Sequence, residues 1–406
     1  MAELTRDRRR ADVHKHVRPK GVAAALVTLA LAGSPVTAQD DSTADMSPRA
    51  IASKAGPMTL ETLVALEHPW GMSLMADGDT LLLTEKVGTL RRWRDGELSE
   101  PIAGVPAVAF EGQGGLMDVV VAPDFAETRE LYLGFVERAP EEEQPTIDSF
   151  TPDPRLGPYP DGDVTTLKGL AVARATLSED MRRLEDVQVI WRQLPKTMGL
   201  GQYGGRLAFT PDGTLLVSSG DRQRFMPAQA LDTNIGKIVR LERDGTPAAD
   251  NPVIGGSGAS GDIYSIGHRN PLGLAVDAET GTIWSHEMGP FGGDELNRIE
   301  PGRNYGWPLV SNGSHYNHVP IPNHDIDGPY TQPAWYWYPS VSPSGIDFYN
   351  GDLVPEWKGS IFIGALSGET LVRLELKDNR VQSEERLDVN LFACETFSRH
   401  PMARCG

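Results

Sequence analysis

Short apolar runs alternate with tight polar turns along this chain, and one strand-turn-strand grammar recurs. The segment WGMSLMADGDTLLLTE (70–85) sets two apolar runs on either side of Asp77-Gly78. LAFTPDGTLLVSSG (207–220) repeats this around Asp212-Gly213, and LAVDAETGTIWSHE (274–287) repeats it around Thr280-Gly281. VVVAPDFAETRELYLGF (119–135) and IDFYNGDLVPEWKGSIFIGAL (346–366) are longer-looped versions. Glycine and asparagine tolerate the positive φ that such turns need, and the flanking apolar and β-branched residues favour strands. GTLRRW (88–93), GKIVRLERDG (236–245) and TLVRLEL (370–376) add a further strand after three of the units. A chain that reuses one hairpin pattern so often predicts an all-β fold, a propeller of small antiparallel sheets rather than a sandwich. Helical periodicity is scarce. LSEDMRRLEDVQVIW (177–191) is the best helix candidate, and it reads equally as a polar inter-strand connection. APEEEQPTIDSFTPDPRLGPYPDGD (139–163), rich in proline and acid, reads as an exposed loop.

Charge and composition narrow the picture. With 38 basic against 56 acidic residues the net charge is −18, which argues against nucleic acid or anionic lipid as a partner. The start differs from the rest. A basic stretch (1–20) precedes the short apolar run GVAAALVTLALAG, and SPVTAQ offers cleavage after Ala38. That order is a secretory signal over 1–38, followed by a linker over 39–59, and it implies a periplasmic or secreted protein. The cysteines, Cys394 and Cys405, both lie at the far end, so the domain is not a disulfide scaffold.

Candidate chemistry lies at strand-loop junctions. In IYSIGHRNPLGLAVD (263–277), Arg269 and Asn270 supply fixed donors suited to a carboxylate or a quinone oxygen. In HEMGPFGGDELNRIEPGRNYGWP (286–308), Gly289 and Pro290 can turn carbonyls outward beside the carboxylates of Asp294 and Glu295. Calcium takes such mixed oxygen donors, although the spacing is not that of an EF-hand. In EGQGGLMDVVVAPDF (111–125), Gln113 stands among glycines ahead of a strand.

As a set, LEHPWGM, GQGGLMDVVVAPDF, GGRLAFTPDG, GKIVRLERDG, GHRNPLGLA, EMGPFGGDELNRI and NYGWP resemble the soluble quinoprotein sugar dehydrogenases, from about Leu60 to Asn390. The resemblance implies a six-bladed β-propeller that binds pyrroloquinoline quinone (PQQ) and calcium. It implies oxidation of an aldose at its anomeric carbon, with electrons passed to an external acceptor. It assigns Gln113, Arg269, Asn270 and Met288 to the cofactor, and the carbonyls of Gly289 and Pro290 to a catalytic calcium. It assigns Glu295 and the Tyr305 carbonyl to a structural calcium, and Trp335 and Tyr338 to the sugar.

Three departures stand against it. Gln202, in GQYGGRL, occupies the position of the family's histidine base, and a carboxamide does not accept a proton at useful pH. His268 and His286 are the nearby candidates to replace it. Met288 replaces a polar residue that touches the cofactor. After Asn390 the sequence LFACETFSRHPMARCG has no strand grammar, where relatives carry an Arg-x-Arg and a last hairpin. Read two bases out of frame with G or C at third positions, this stretch gives LRVRDVQPAPDGALW, which implies a frameshift over 391–406 and an incomplete last blade. Two rival expectations follow: a propeller that binds ligand or calcium without oxidation, and a metal-dependent lactone hydrolase, which would need a convergent carboxylate and asparagine metal site.

Overall fold

The computed structural model describes residues 48–144, 155, 164–255 and 258–389; the segment expected as a signal (1–38), most of the expected loop 139–163 and the residues after 389 lie outside these. The described residues open with a hairpin, β1 (Arg49–Ser53) and β2 (Gly56–Leu60), within and just beyond the segment expected as a linker (39–59). Five four-stranded antiparallel sheets follow in sequence order. The first is β3 (Pro69–Leu74), β4 (Thr80–Glu85), β5 (Thr89–Arg94) and β6 (Glu97–Leu98). The second is β7 (Leu116–Val121), β8 (Glu130–Arg138), β9 (Lys168–Leu177) and β10 (Leu184–Arg192). The third is β11 (Gly204–Phe209), β12 (Leu215–Ser219), β13 (Lys237–Leu241) and β14 (Ile263–Ile266). The fourth is β15 (Pro271–Val276), β16 (Ile283–Glu287), β17 (Asp294–Ile299) and β18 (Trp335–Trp337). The fifth is β19 (Pro343–Phe348), β20 (Ile361–Ala365), β21 (Thr370–Lys377) and β22 (Arg380–Asp388).

Turn chemistry explains the hairpins. Gly78 and Gly213 adopt φ of 74° and 87°, which a side chain would strain. Each preceding aspartate folds back on its own turn: Asp77 Oδ1 accepts from the Thr80 amide, and Asp212 Oδ1 accepts from the Thr214 amide. The helix candidate 177–191 is resolved the other way. β9 ends at Leu177, a turn crosses to Leu184, and the rest is β10, because Leu184 and Trp191 bury against neighbouring sheets.

The first strand of every sheet packs beside the first strand of the next, in the succession β3, β7, β11, β15, β19. Sheets so arranged are the blades of a propeller, with β3, β7, β11, β15 and β19 innermost. Each inner strand breaks register with its neighbour at one bulge, for example between Leu116 and Val119 and between Gly204 and Leu207. The bulges place Trp70, Asp118 and Arg206 together. The Arg206 guanidinium lies 3.9 Å over the Trp70 ring, pairs with Asp118 at 3.3 Å and donates from Nε to the Leu272 carbonyl at 2.8 Å. One arginine thus ties four blades at the centre. Apolar cores fill the wedges between successive blades. The β1–β2 hairpin turns Ile51, Met58 and Leu60 onto Tyr349, Trp357, Phe362 and Leu387 of the fifth blade. The described residues therefore form five blades with that hairpin on the flank of the fifth.

Candidate active site

In an up-and-down blade the start of the first strand and the end of the second lie at the same end. Gln113, Gln202 and Arg269-Asn270 precede β7, β11 and β15, while Asp221 and Met288-Gly289 follow β12 and β16. Topology alone brings these segments to one end of the propeller, and the contacts confirm it. Gln113 Oε1 accepts from the Gln202 amide at 2.7 Å, and Asn270 Oδ1 accepts from the Gly204 amide at 3.2 Å. Arg269 Nη1 donates to the carbonyls of Met288 and Gly289 at 2.8 and 2.9 Å. With its amide oriented to suit its neighbours, Gln202 donates to Asp221 Oδ1 and accepts from Arg269 Nη2 at 2.7 Å. The five predicted residues Gln113, Gln202, Arg269, Asn270 and Met288 belong to one connected network.

Asp221 is the residue that the sequence reading missed. It is fully buried, accepts from Trp307 Nε1 at 2.6 Å and from the Gln223 amide at 2.8 Å, and its pKa is pushed up to about 6 by that burial. Its place at the end of β12, opposite the loop of Gln202, was the available signal. The backbone around it is held in an unfavourable region: Gln202, Arg222, Gln223 and Phe225 all have φ between 54° and 62°. Non-glycine residues there cost on the order of 1–3 kcal/mol each and gather at functional sites. Arg222 stabilises the arrangement. Its guanidinium lies 3.6 Å over the Tyr203 ring and donates to the carbonyls of Gly201 and Gly199, inside the loop that carries Gln202.

A second cluster lies beside Arg269. Glu287, Glu295, Tyr305 and Gly293 line the same small cavity as Arg269 and Met288. Glu287 accepts from the Arg269 backbone amide at 2.5 Å and faces His268 Nδ1 at 3.1 Å. Glu295 faces His324 Nε2 at 3.2 Å. Burial pushes the Glu295 pKa up. Asp294, expected beside Glu295 as a hard ligand, is spent elsewhere. It accepts from the amides of Gly289, Val341 and Ser342 and from the Ser340 hydroxyl, so it organises the turn instead.

The remaining expected residues divide. Tyr338 is 64% exposed, with its ring against Gly292, where a Cβ would come within 2.3 Å of it. Trp335 is turned away: its indole N–H and that of Trp337 both donate to Glu384 Oε2 at 2.9 Å, joining the fourth blade to the fifth. Neither candidate replacement base faces the site. His268 is fully buried, stacked on Tyr305 and bonded to Ser265 and Glu287. His286 is fully buried against Gly273, and burial pushes its pKa down to about 3. Among the described residues no three His, Cys, Asp or Glu side chains gather as a metal site.

The fold is an all-β propeller, and its site joins arginine, asparagine and glutamine donors at one end. The family model for glucose/sorbosone dehydrogenases matches residues 66–392, and the chain belongs to that family. Among its relatives is the aldose sugar dehydrogenase YliI of Escherichia coli, 38% identical over 82% of this chain and 85% of that protein. A solved glucose dehydrogenase is 42% identical over 79% of this chain and 87% of its own, with a TM-score of 0.71. The PQQ-bound aldose sugar dehydrogenase of Streptomyces coelicolor is 28% identical over 80% of this chain and 83% of its own, with a TM-score of 0.62.

Proposed function

We propose that this chain is a periplasmic or secreted PQQ- and calcium-dependent aldose dehydrogenase, which oxidises the anomeric carbon to a lactone and passes electrons to an external acceptor. The observation that carries the reading is the Arg269 guanidinium. It is held against the carbonyls of Met288 and Gly289, beside Asn270, Gln113 and Gln202, at the mouth end of the inner strands.

The residues fit both groups. The Gly289 carbonyl, which accepts from the Arg269 guanidinium, would with the Pro290 carbonyl hold the catalytic calcium. A Cβ at Gly289 would come within 2.2 Å of the Gly292 carbonyl, so glycine is what lets the Gly292–Gly293 backbone fold against this strand end. Glu295 and the Tyr305 carbonyl would hold a second calcium in the cavity they share. Arg269, Asn270 and Gln113 would bind an anionic, oxygen-rich planar cofactor, and Met288 would line its edge. Bound together, PQQ and calcium supply a two-electron acceptor polarised by a Lewis acid. Tyr338, exposed beside Gly292, would meet the sugar. The sixth blade implied by the resemblance would lie between the fifth blade and the first.

The chain's own task is to place the sugar so that its anomeric hydroxyl can lose its proton. Gln202 would orient that hydroxyl but does not accept the proton, which would pass to water instead. Asp221, with its pKa near 6, holds the Gln202 amide from behind. One observation favours a second reading, a propeller that binds without oxidising. The Gln202 amide is tied at both ends, to Asp221 and Arg269, and a carboxamide does not take up a proton. Dye reduction by the purified chain with PQQ, calcium and a panel of aldoses separates the two. Turnover that stops on chelation supports the dehydrogenase, and PQQ binding without turnover supports the binder.

A further inference from the structure

Glu287 and Glu295 are direct cross-strand partners on β16 and β17, and both are buried. Like charges so placed repel. The group between them is the Asn297 side-chain amide, 1% exposed, whose Nδ2 donates to Glu287 Oε1 at 3.4 Å and to Glu295 Oε2 at 3.2 Å. Its Oδ1 has no partner, so the two carboxylates hold this amide and its own oxygen does not. Glu287 in turn accepts from the Arg269 backbone amide at 2.5 Å, and Arg269 reaches the Met288 and Gly289 carbonyls. A continuous buried path therefore runs from Glu295 through Asn297 and Glu287 to the cofactor arginine.

We infer that Asn297 is a positioning residue that couples the cation site at Glu295 to Arg269, so that calcium there and PQQ raise each other's affinity. The inference rests on the proposed PQQ and calcium reading. With calcium on Glu295, that carboxylate is fixed in place, and the Asn297 amide that bridges it to Glu287 is fixed with it. Glu287 then stays on the Arg269 amide, and the guanidinium is fixed for an anionic ligand. Linkage makes the effect reciprocal, and couplings of this kind are typically about 5–150-fold in affinity.

The test is a double-mutant cycle on the full chain. PQQ affinity is read by absorbance titration in calcium, bound calcium by elemental analysis, and folding by circular dichroism. Glu295→Gln is expected to lose one calcium and to weaken PQQ at least about fivefold. Asn297→Leu, or Asn297→Ser if the leucine variant misfolds, is expected to keep that calcium and weaken PQQ by a similar factor. The double variant is expected to be no weaker than Glu295→Gln alone, because the path is already cut. Losses that multiply, or a calcium-depleted Glu295→Gln with unchanged PQQ affinity, overturn the coupling alone. A full calcium complement in Glu295→Gln, or no PQQ binding by the wild-type chain, overturns the underlying reading and the coupling with it.

Discussion

Gln202→His is the substitution with the largest expected gain. The position already has a carboxylate behind it: Asp221 Oδ1 accepts from the Gln202 side-chain amide and the Gln223 backbone amide, while the Trp307 indole holds Oδ2. An imidazole at 202 would donate one ring N–H to Asp221 and present its other nitrogen to the substrate. General-base help of this kind is worth roughly a hundred- to ten-thousand-fold in rate. The charged hydrogen bond to Asp221 contributes about 1.5–3 kcal/mol of that, a factor on the order of ten to a few hundred. The assay is kcat for dye reduction with PQQ, calcium and aldose across pH 5–9. Gln202→His is expected to raise kcat and to show a rising limb as the imidazole deprotonates. Asp221→Asn added to it is expected to lose about ten- to a few-hundred-fold of the gain. A Gln202→His chain that binds PQQ normally yet turns over no faster at any pH would refute the argument.

Three further outcomes follow from the geometry. Arg269→Lys loses the fork that reaches two carbonyls and Gln202 at once, so PQQ affinity should fall at least about tenfold, which absorbance titration checks. Asp221 has a folded pKa of about 6 against an ordinary 3.8, so its burial opposes folding as pH rises through that window. Two units correspond to about 3 kcal/mol. Urea melts should therefore show Asp221→Asn gaining on wild type from pH 4 to 7, offset by the weakened bond to Trp307, and no pH-dependent difference would contradict this. Arg206→Leu leaves Asp118 buried without its partner and should cost about 3–5 kcal/mol, seen as a large fall in Tm.

Much of the architecture was legible because turn chemistry is local. Asp77-Gly78 and Asp212-Gly213 announce their hairpins within four residues, and each aspartate closes its own turn. The grouping of Gln113, Gln202, Arg269 and Asn270 was legible through the resemblance, and the up-and-down blade topology explains it. Asp221 was not legible, because its importance depends on Trp307, Gln202 and Arg269 arriving from other blades. Trp335 misled for the converse reason. An aromatic near the site in sequence packs between blades once Glu384 of β22 is in place. The replacement histidines failed on side-chain direction. His286 lies on β16 one residue before Glu287, yet strand alternation turns it against Gly273 and away from the cavity. The 49–60 hairpin was hidden because its apolar alternation, Ile51, Met58 and Leu60, is short and half exposed.

The most direct test of the central claim is a single-turnover absorbance experiment. The chain is loaded with PQQ and calcium, freed of excess cofactor and mixed with an aldose in the absence of any dye. The account expects the bound quinone to be reduced at a rate that depends on the sugar and disappears when calcium is chelated. A chain that holds PQQ and keeps it oxidised with every aldose would contradict the dehydrogenase and leave a propeller that only binds.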